Sequence, residues 1–398
     1  MTKPNSTRPR PDDLGRRYIR LAHALEAHQP DFIDGYGGPA ELADLTLRPT
    51  SELLSEAQAL HHDVQSETDP TRRTFLDRQV RAMHTLARML NGEALPYAEE
   101  VRGLYDIDPE RADLAELDAA LRELDTALPG RGSLEEREAA VRSRVTVPLS
   151  ELMRVSEAIL TELRRRTADQ YDLPDGENFS FELATNKPWG GYSRPLGNLR
   201  SSVAINTDLP VILTGLPDLL AHEVYPGHHA EHAIKEARLV WELGWFEHNI
   251  QLINAPEGVI TEGIAMNALD AVMTPYEVSD WLTGDLSKVA GIDPDAVREA
   301  LRLAHIKEQF RGLSGHAAMM LYQDGASQRE VLDFFRHYNA ATLERAQKSL
   351  EFISQPTFRG YIFTYSVGRR LVREAIERGA VTFGQLLSEA LTPGALRP

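Results

Sequence analysis

The chain has 398 residues, 42% of them hydrophobic and 26% charged, which is enough apolar content to bury a large core without disulfides and too much for intrinsic disorder. With 60 Asp and Glu against 43 Lys and Arg, the formal net charge of -17 opposes a sequence-independent grip on phosphates, so neither nucleic acid nor anionic membrane is expected as a partner. There are 0 cysteines, which excludes disulfides, thiolate metal sites and cysteine nucleophiles, and leaves His, Asp or Glu to hold any metal.

Residues 1–13 are polar and Pro-rich and read as a flexible tail. They lack the apolar core of a signal peptide, and no stretch approaches the roughly 18 consecutive apolar residues of a membrane span, so cytoplasmic residence is expected. Residues 14–398 read as a single, mainly α unit: an N-terminal helical half over about 14–175, a small β element with the chemistry-bearing helices over about 176–275, and a C-terminal helical half over about 276–398. Leu76, Val80, Met83, Ala87 and Leu90 step at helical spacing before Asn91-Gly92, a helix C-terminus signal. Leu114, Leu117, Leu121, Leu124 and Leu128 predict a second helix ahead of Pro129-Gly130, and Leu152, Val155, Ile159 and Leu163 a third after Pro148. Between Gly176 and Pro210, Phe179, Phe181 and Leu183, then Val203 and Ile205, alternate with other residues and predict two strands. Capping boxes at Ser133 with Glu136, Ser327 with Glu330 and Thr382 with Gln385 predict helix starts.

Five of the 13 histidines fall between 222 and 248, in a run that opens Leu219-Leu220-Ala221-His222-Glu223-Val224-Tyr225-Pro226-Gly227-His228-His229. Zinc-protease helices carry His-Glu-x-x-His because residues four apart share a face, but here the fourth position is Pro226. In a straight helix, at about 100° and 1.5 Å per residue, His228 points about 120° away from His222, and His229 lies about 10 Å along the axis. Pro226 has no N–H to donate and Gly227 tolerates unusual dihedrals, so a helix widened or broken there absorbs the two extra residues and returns His228 to His222.

The His-Glu-x-Tyr-Pro-Gly-His-His segment resembles the signature of the family catalogued as domain of unknown function 885. That family is similar in fold to the helical zinc metallopeptidases of the carboxypeptidase Taq, thimet oligopeptidase and angiotensin-converting enzyme groups. Phe32-Ile33-Asp34-Gly35-Tyr36-Gly37-Gly38-Pro39, Trp189-Gly190-Gly191-Tyr192 and Ser202-Val203-Ala204-Ile205-Asn206-Thr207-Asp208 also resemble family segments. The resemblance implies a large helical fold with a small β element beside a cleft, one Zn held by His222, His228 and Glu262, and Glu223 as general base. Glu262 comes from the match of Glu262-Gly263-Ile264-Ala265 to the family's Glu-Gly-x-Ala motif; Glu257, between Pro256 and Gly258, is the rival, expected to precede the helix. Ile264, Met266, Asn267 and Leu269 depart from the family's usual residues and put the substrate pocket in question. The C-terminal Tyr-x-x-Gly motif at Tyr365 and Gly368 implies an oxyanion donor, with Tyr361 one turn earlier as the alternative. His229, Asn206, Arg359 and Arg369 are the candidate substrate contacts, the arginines for a carboxylate, and an open strand edge at Val203–Asn206 is expected to pair an extended peptide. His316 reads as a structural histidine.

The expected function is zinc-dependent hydrolysis of an amide bond in a short peptide or small metabolite. The alternatives are a metal-dependent enzyme of another reaction class, or a helical binding protein whose metal site is degenerate.

Overall fold

The computed structural model describes residues 9–187, 189–338 and 343–398. The fold is mainly α with two small sheets, as the spacing of apolar residues predicts. Local chemistry sets the helix ends. In the helix Pro70–Leu90, the Asp69 carboxylate accepts from the Thr71 and Arg72 amides at 2.9 and 3.0 Å, Pro70 sits in the first turn, and Gly92 at φ 94° closes the end. Its inward stripe includes Phe75, Leu76, Val80, Met83 and Leu86, each worth about 1.5–3 kcal/mol when removed from water. The predicted helices at Leu114–Ala127 and Leu149–Gln170 are present, as are the capping boxes at Ser133 and Thr382. Ser327 and Glu330 bond reciprocally ahead of Gln328–Tyr338. Thr274 and Glu277 make a fourth box that the sequence reading passed over.

Of the expected tail, residues 1–8 lie outside the described residues, and the remainder is anchored. Asp12 caps the helix Asp13–Glu26 and pairs with the buried Arg72, which also makes a two-pronged bond to the buried Glu247 at 2.6 and 2.9 Å.

Five strands are present: β1 Ile33–Tyr36, β2 Asn178–Ala184, β3 Gly191–Gly197, β4 Arg200–Asn206 and β5 Ile250–Leu252. β1 and β5 form an antiparallel pair, and the other three run in the order β2-β4-β3, with β2 parallel and β3 antiparallel to β4. β4 is therefore the central strand, and the expected open edge at Val203–Asn206 does not exist: β2 covers one side and β3 the other. The reading missed β3 because Pro195 and flanking glycines mask its alternation; Pro195 is tolerated on an edge strand beside a register shift. One contiguous apolar core extends from Tyr18 to Leu396. Among the described residues no helix is long and apolar enough to cross a membrane.

Candidate metal centre and cleft

The helix Leu216–Glu223 carries His222 and Glu223 in its last turn and stops there; a new helix, His228–Lys235, begins after four intervening residues. The Gly227 amide donates to the Ala221 carbonyl at 2.9 Å, and the Ala230 amide to the Val224 carbonyl at 3.1 Å, so the backbone groups released by the break are bonded. A Cβ on Gly227 would lie 1.9 Å from the His222 carbonyl oxygen and 2.4 Å from that of Ala221, so only glycine fits this turn. The helix is broken, not widened, and the break brings His228 Nε2 to 3.2 Å from His222 Nε2.

Glu262 arrives from the helix Pro256–Ala265, which packs against Ile362–Glu377 at a contact of two glycines. A Cβ on Gly263 would lie 2.6 Å from the Gly368 carbonyl oxygen, and one on Gly368 2.4 Å from that of Val259. Asn267 fastens the crossing, donating to Gly263 O at 2.7 Å and Arg369 O at 3.1 Å. The close approach sets Tyr361, at the start of the second helix, against Glu262, with its hydroxyl donating to Oε1 at 2.5 Å. Glu262 Oε2 lies 3.4 Å from His222 Nε2, and Oε1 3.8 Å from His228 Nε2.

His222, His228 and Glu262 therefore form a group that could hold a metal ion. Four ligands placed tetrahedrally at 2.0–2.1 Å from an ion are about 3.4 Å from one another, and the three separations seen, 3.2, 3.4 and 3.8 Å, fall around that value. Glu262 Oε2 is buried with no hydrogen-bond partner among the described residues, the state of a carboxylate oxygen that an ion would satisfy.

Burial dominates the electrostatics. It depresses His222 to about 4, with Arg311 adding to the effect, and lowers His228 further, with His222 and His232 adding, so both rings are neutral and able to ligate. Burial lifts Glu262 to about 8, with Asp34 and Glu231 adding and the Tyr361 bond opposing. Glu223 is raised well above the carboxylate range by burial, then by Glu262 and Asp34. A divalent cation would reverse the sign of the field at both carboxylates.

These groups face a cavity of about 390 Å³. His222, Glu223, His228 and Glu262 lie on one wall and Tyr361 and Tyr365 on another, the two rings edge to face at 5.5 Å. The tyrosines differ in what they are free to do: Tyr361 is engaged with Glu262, whereas the Tyr365 hydroxyl has no hydrogen bond among the described residues. Burial, then Glu262 and Glu223, raise Tyr365 well above the usual phenol, so it keeps its proton and can donate it in a hydrogen bond.

The four candidate substrate contacts lie elsewhere. His229 is fully buried, with Nδ1 2.8 Å from Ser201 Oγ and Nε2 2.8 Å from Glu177 Oε2, and locks its helix to the sheet. Asn206 donates to the carbonyls of Lys187 and Trp189, both at 2.9 Å, and so braces a loop whose Trp189 does line the cavity. Arg359 is paired with the buried Glu100. Arg369 reaches Glu308 and lines a separate cavity of about 330 Å³ with Arg311, Arg370 and Arg373.

Glu257 is not ahead of its helix but inside the first turn, buried beside His248 Nδ1 at 3.6 Å and outside the cavity lining. Ile264 and Asn267, where the chain departs from the family's usual residues, are packing positions outside the lining, so they do not bear on the pocket. His316 stacks on Phe334 and bonds to Ala112 O, a structural role.

The sequence reading missed Asp34, Tyr192, Phe352 and Phe358 as cleft residues. Asp34 and Tyr192 stand inside segments quoted for the family resemblance, so a signal was present, though without a chemical reading attached.

No family profile matches the sequence, and no curated protein does either. Among solved structures, one described as a "putative lipoprotein" from Colwellia psychrerythraea is similar in fold, with a TM-score of 0.57 at 16% identity over 94% of this chain and 67% of that one. At that identity the likeness concerns the fold alone.

Proposed function

We propose that the protein is a zinc-dependent hydrolase of the domain of unknown function 885 type, cleaving an amide bond in a short peptide or small amide. The observation that carries this reading is the ligand triangle His222, His228 and Glu262 opening onto a cavity that also holds a carboxylate, Glu223, and a free phenol, Tyr365. Three protein ligands of the His, His, Glu type with an open side are the donor set of catalytic zinc sites. When bound, the ion supplies Lewis acidity, polarising a carbonyl oxygen and making a nearby water a stronger acid.

The protein's groups do the rest. Glu223, the residue after the first ligand, takes the proton of the attacking water and passes it to the leaving amine. Tyr365 donates to the oxygen on which negative charge develops, a bond that strengthens only in the transition state. Tyr361 holds Glu262 in its ligating orientation. Walls formed by packed helices and a small sheet admit a peptide or metabolite and exclude a folded protein.

The test is elemental analysis of the purified protein together with a screen of short peptides and N-acyl amino acids. The expected result is one zinc per chain, lost in His222→Ala and His228→Ala, and cleavage of at least one amide. Full metal occupancy in both variants would remove the metal site, and conversion of a non-amide metabolite with no amide cleaved would remove the peptidase reading alone.

A further inference from the structure

We propose that the cleft binds a protonated amine at Asp34, so that its substrates carry an ammonium group close to the bond being cut. The inference relies on the hydrolase reading for the place of that bond and on Asp34's own surroundings for the amine.

β3 ties Asp34 to the catalytic wall through two consecutive residues. At Gly191 the strand abuts the general base: a Cβ there would lie 2.6 Å from Glu223 Oε1. At Tyr192 the hydroxyl donates to Asp34 Oδ1 at 2.8 Å. The tyrosine thereby fixes one carboxylate oxygen, while Oδ2 has no hydrogen-bond partner among the described residues and Asp34 faces the same cavity as the ligands.

The charges of the cleft point the same way. Its lining carries Asp31, Asp34, Glu223 and Glu262 against one cation, Lys187, which is exposed at the rim. A divalent ion is offset by Glu262 and Glu223, so Asp34 remains as negative charge inside with no ion-pair partner among the described residues. Burial is the largest influence on Asp34 and raises it to about 6; the Tyr192 bond and Arg194, which is exposed and outside the cavity lining, oppose the rise, and Asp31 adds to it. It is still mostly ionised at neutral pH, and a cationic ligand relieves the cost of that buried charge.

The neighbouring walls are aromatic. Trp189 stacks on Tyr192 at 5.3 Å, and Phe352 and Phe358 also line the cleft. A carboxylate in a cleft with aromatic walls recognises an ammonium through a charge-assisted hydrogen bond, with attraction of the cation to the rings adding to it. The amine can be the free α-amino group of a peptide or a side-chain ammonium, and the two are separable by experiment.

The first measurement needs no turnover. Binding of phenethylamine, protonated at neutral pH, and of its neutral counterpart 2-phenylethanol is followed by titration calorimetry on the full chain with zinc. We expect the amine to bind at least about tenfold more tightly, and Asp34→Asn, which keeps the size and the Tyr192 contact, to abolish the difference. Equal binding of amine and alcohol to the unaltered protein overturns the proposal, whether or not the variant folds. So does an undiminished preference in a folded Asp34→Asn.

The second measurement compares hydrolysis of peptides with a free amino terminus, of their N-acetylated forms, and of N-acetylated forms bearing lysine or norleucine near the cut. A rise in KM on N-acetylation that is absent in Asp34→Asn assigns the α-amino group, and a lysine preference assigns the side chain. Indifference to both overturns the proposal. If no peptide is cleaved while the amine preference and its dependence on Asp34 persist, the peptidase reading fails and the amine site stands.

Discussion

Replacing Gly227 by alanine tests whether the broken helix assembles the metal site. The added methyl would begin 1.9 Å from the His222 carbonyl oxygen and 2.4 Å from that of Ala221, both backbone atoms that no rotamer change can move. Carbon and oxygen do not approach within about 3 Å in a packed interior, so relief takes a displacement of about 1 Å between Ala221 and His228. Metal–ligand distances tolerate about 0.2 Å, so a shift of that size takes His228 out of the coordination shell. Binding of about 10–16 kcal/mol for a four-ligand zinc site is about 3 kcal/mol per ligand, or about two orders of magnitude in Kd. Overpacking removes a further 1–3 kcal/mol, roughly, from the fold itself.

The assay is competition for zinc with a chromophoric chelator, paired with thermal unfolding of metal-free and zinc-loaded protein. Gly215→Ala is the control, because its Cβ would meet only Ile212 side-chain atoms, the nearest at 3.7 Å, and zinc affinity should be retained. If Gly227→Ala binds zinc within about threefold of the unaltered protein, the turn does not position His228 as argued.

Four other outcomes are expected. Glu223→Gln should keep the metal and lower kcat about 10²–10⁴-fold, read by elemental analysis and steady-state kinetics; unchanged turnover would give the base role to another group. Tyr365→Phe should keep the metal and lower kcat about 10²–10³-fold with little change in KM. Tyr361→Phe should instead weaken zinc binding by about 10–100-fold through Glu262; the reverse pattern in chelator competition would exchange the two tyrosines. Finally, with Glu262 pushed up to about 8, Glu223 raised well above the carboxylate range and His222 down to about 4 in the metal-free protein, zinc binding at pH 6–7 must release protons from the two carboxyl groups and none from the histidines. Calorimetry in buffers of different ionisation enthalpy should show about one to two protons released per zinc there and fewer as the pH rises past 8; release that grows with pH would contradict the assignment.

Much of this site was legible from the sequence because its geometry is imposed by backbone chemistry. Pro226-Gly227 forced a departure from a straight helix, and only a departure brings two histidines six apart onto one ion. Gly263 beside Glu262 and Gly368 after Tyr365 entered through resemblance alone; the structure supplies their reason, a helix contact that no Cβ could enter. Asp34 was not legible as chemistry, since a lone carboxylate in a four-residue strand has no spacing to set it apart. Its strand pairs with Ile250–Leu252, far along the chain, and neither segment is long enough to show alternation. The arginines misled for a related reason. Sequence places Arg359 just before Tyr361 and Arg369 just after Tyr365, but their direction is decided by Glu100 and Glu308, from other parts of the fold.

The metal-free protein holds its ligand cluster against its own stability. A carboxyl group raised above the usual range in the folded state binds its proton more tightly there than when unfolded. Its contribution is therefore present at low pH and is lost as the pH rises from that range through about 8, the position of Glu262. Glu223, raised well above the carboxylate range, adds in the same direction, whereas the depressed rings of His222 and His228 act oppositely: their contribution is present above the ordinary imidazole range and is lost as the pH falls, through about 4 for His222. Among the described residues, Glu262 Oε2, His228 Nδ1 and both ring nitrogens of His232 are buried polar atoms without hydrogen-bond partners along this stretch, as are atoms of the wider core such as Tyr18 Oη and Gln79 Oε1. Apolar residues at these positions would remove the cost, and the surrounding core of Leu220, Val259 and Ile260 shows that the chain builds such packing wherever nothing else is required. A fold that keeps uncompensated polar groups together at the wall of a cleft, where apolar packing would cost less, keeps them for what binds there.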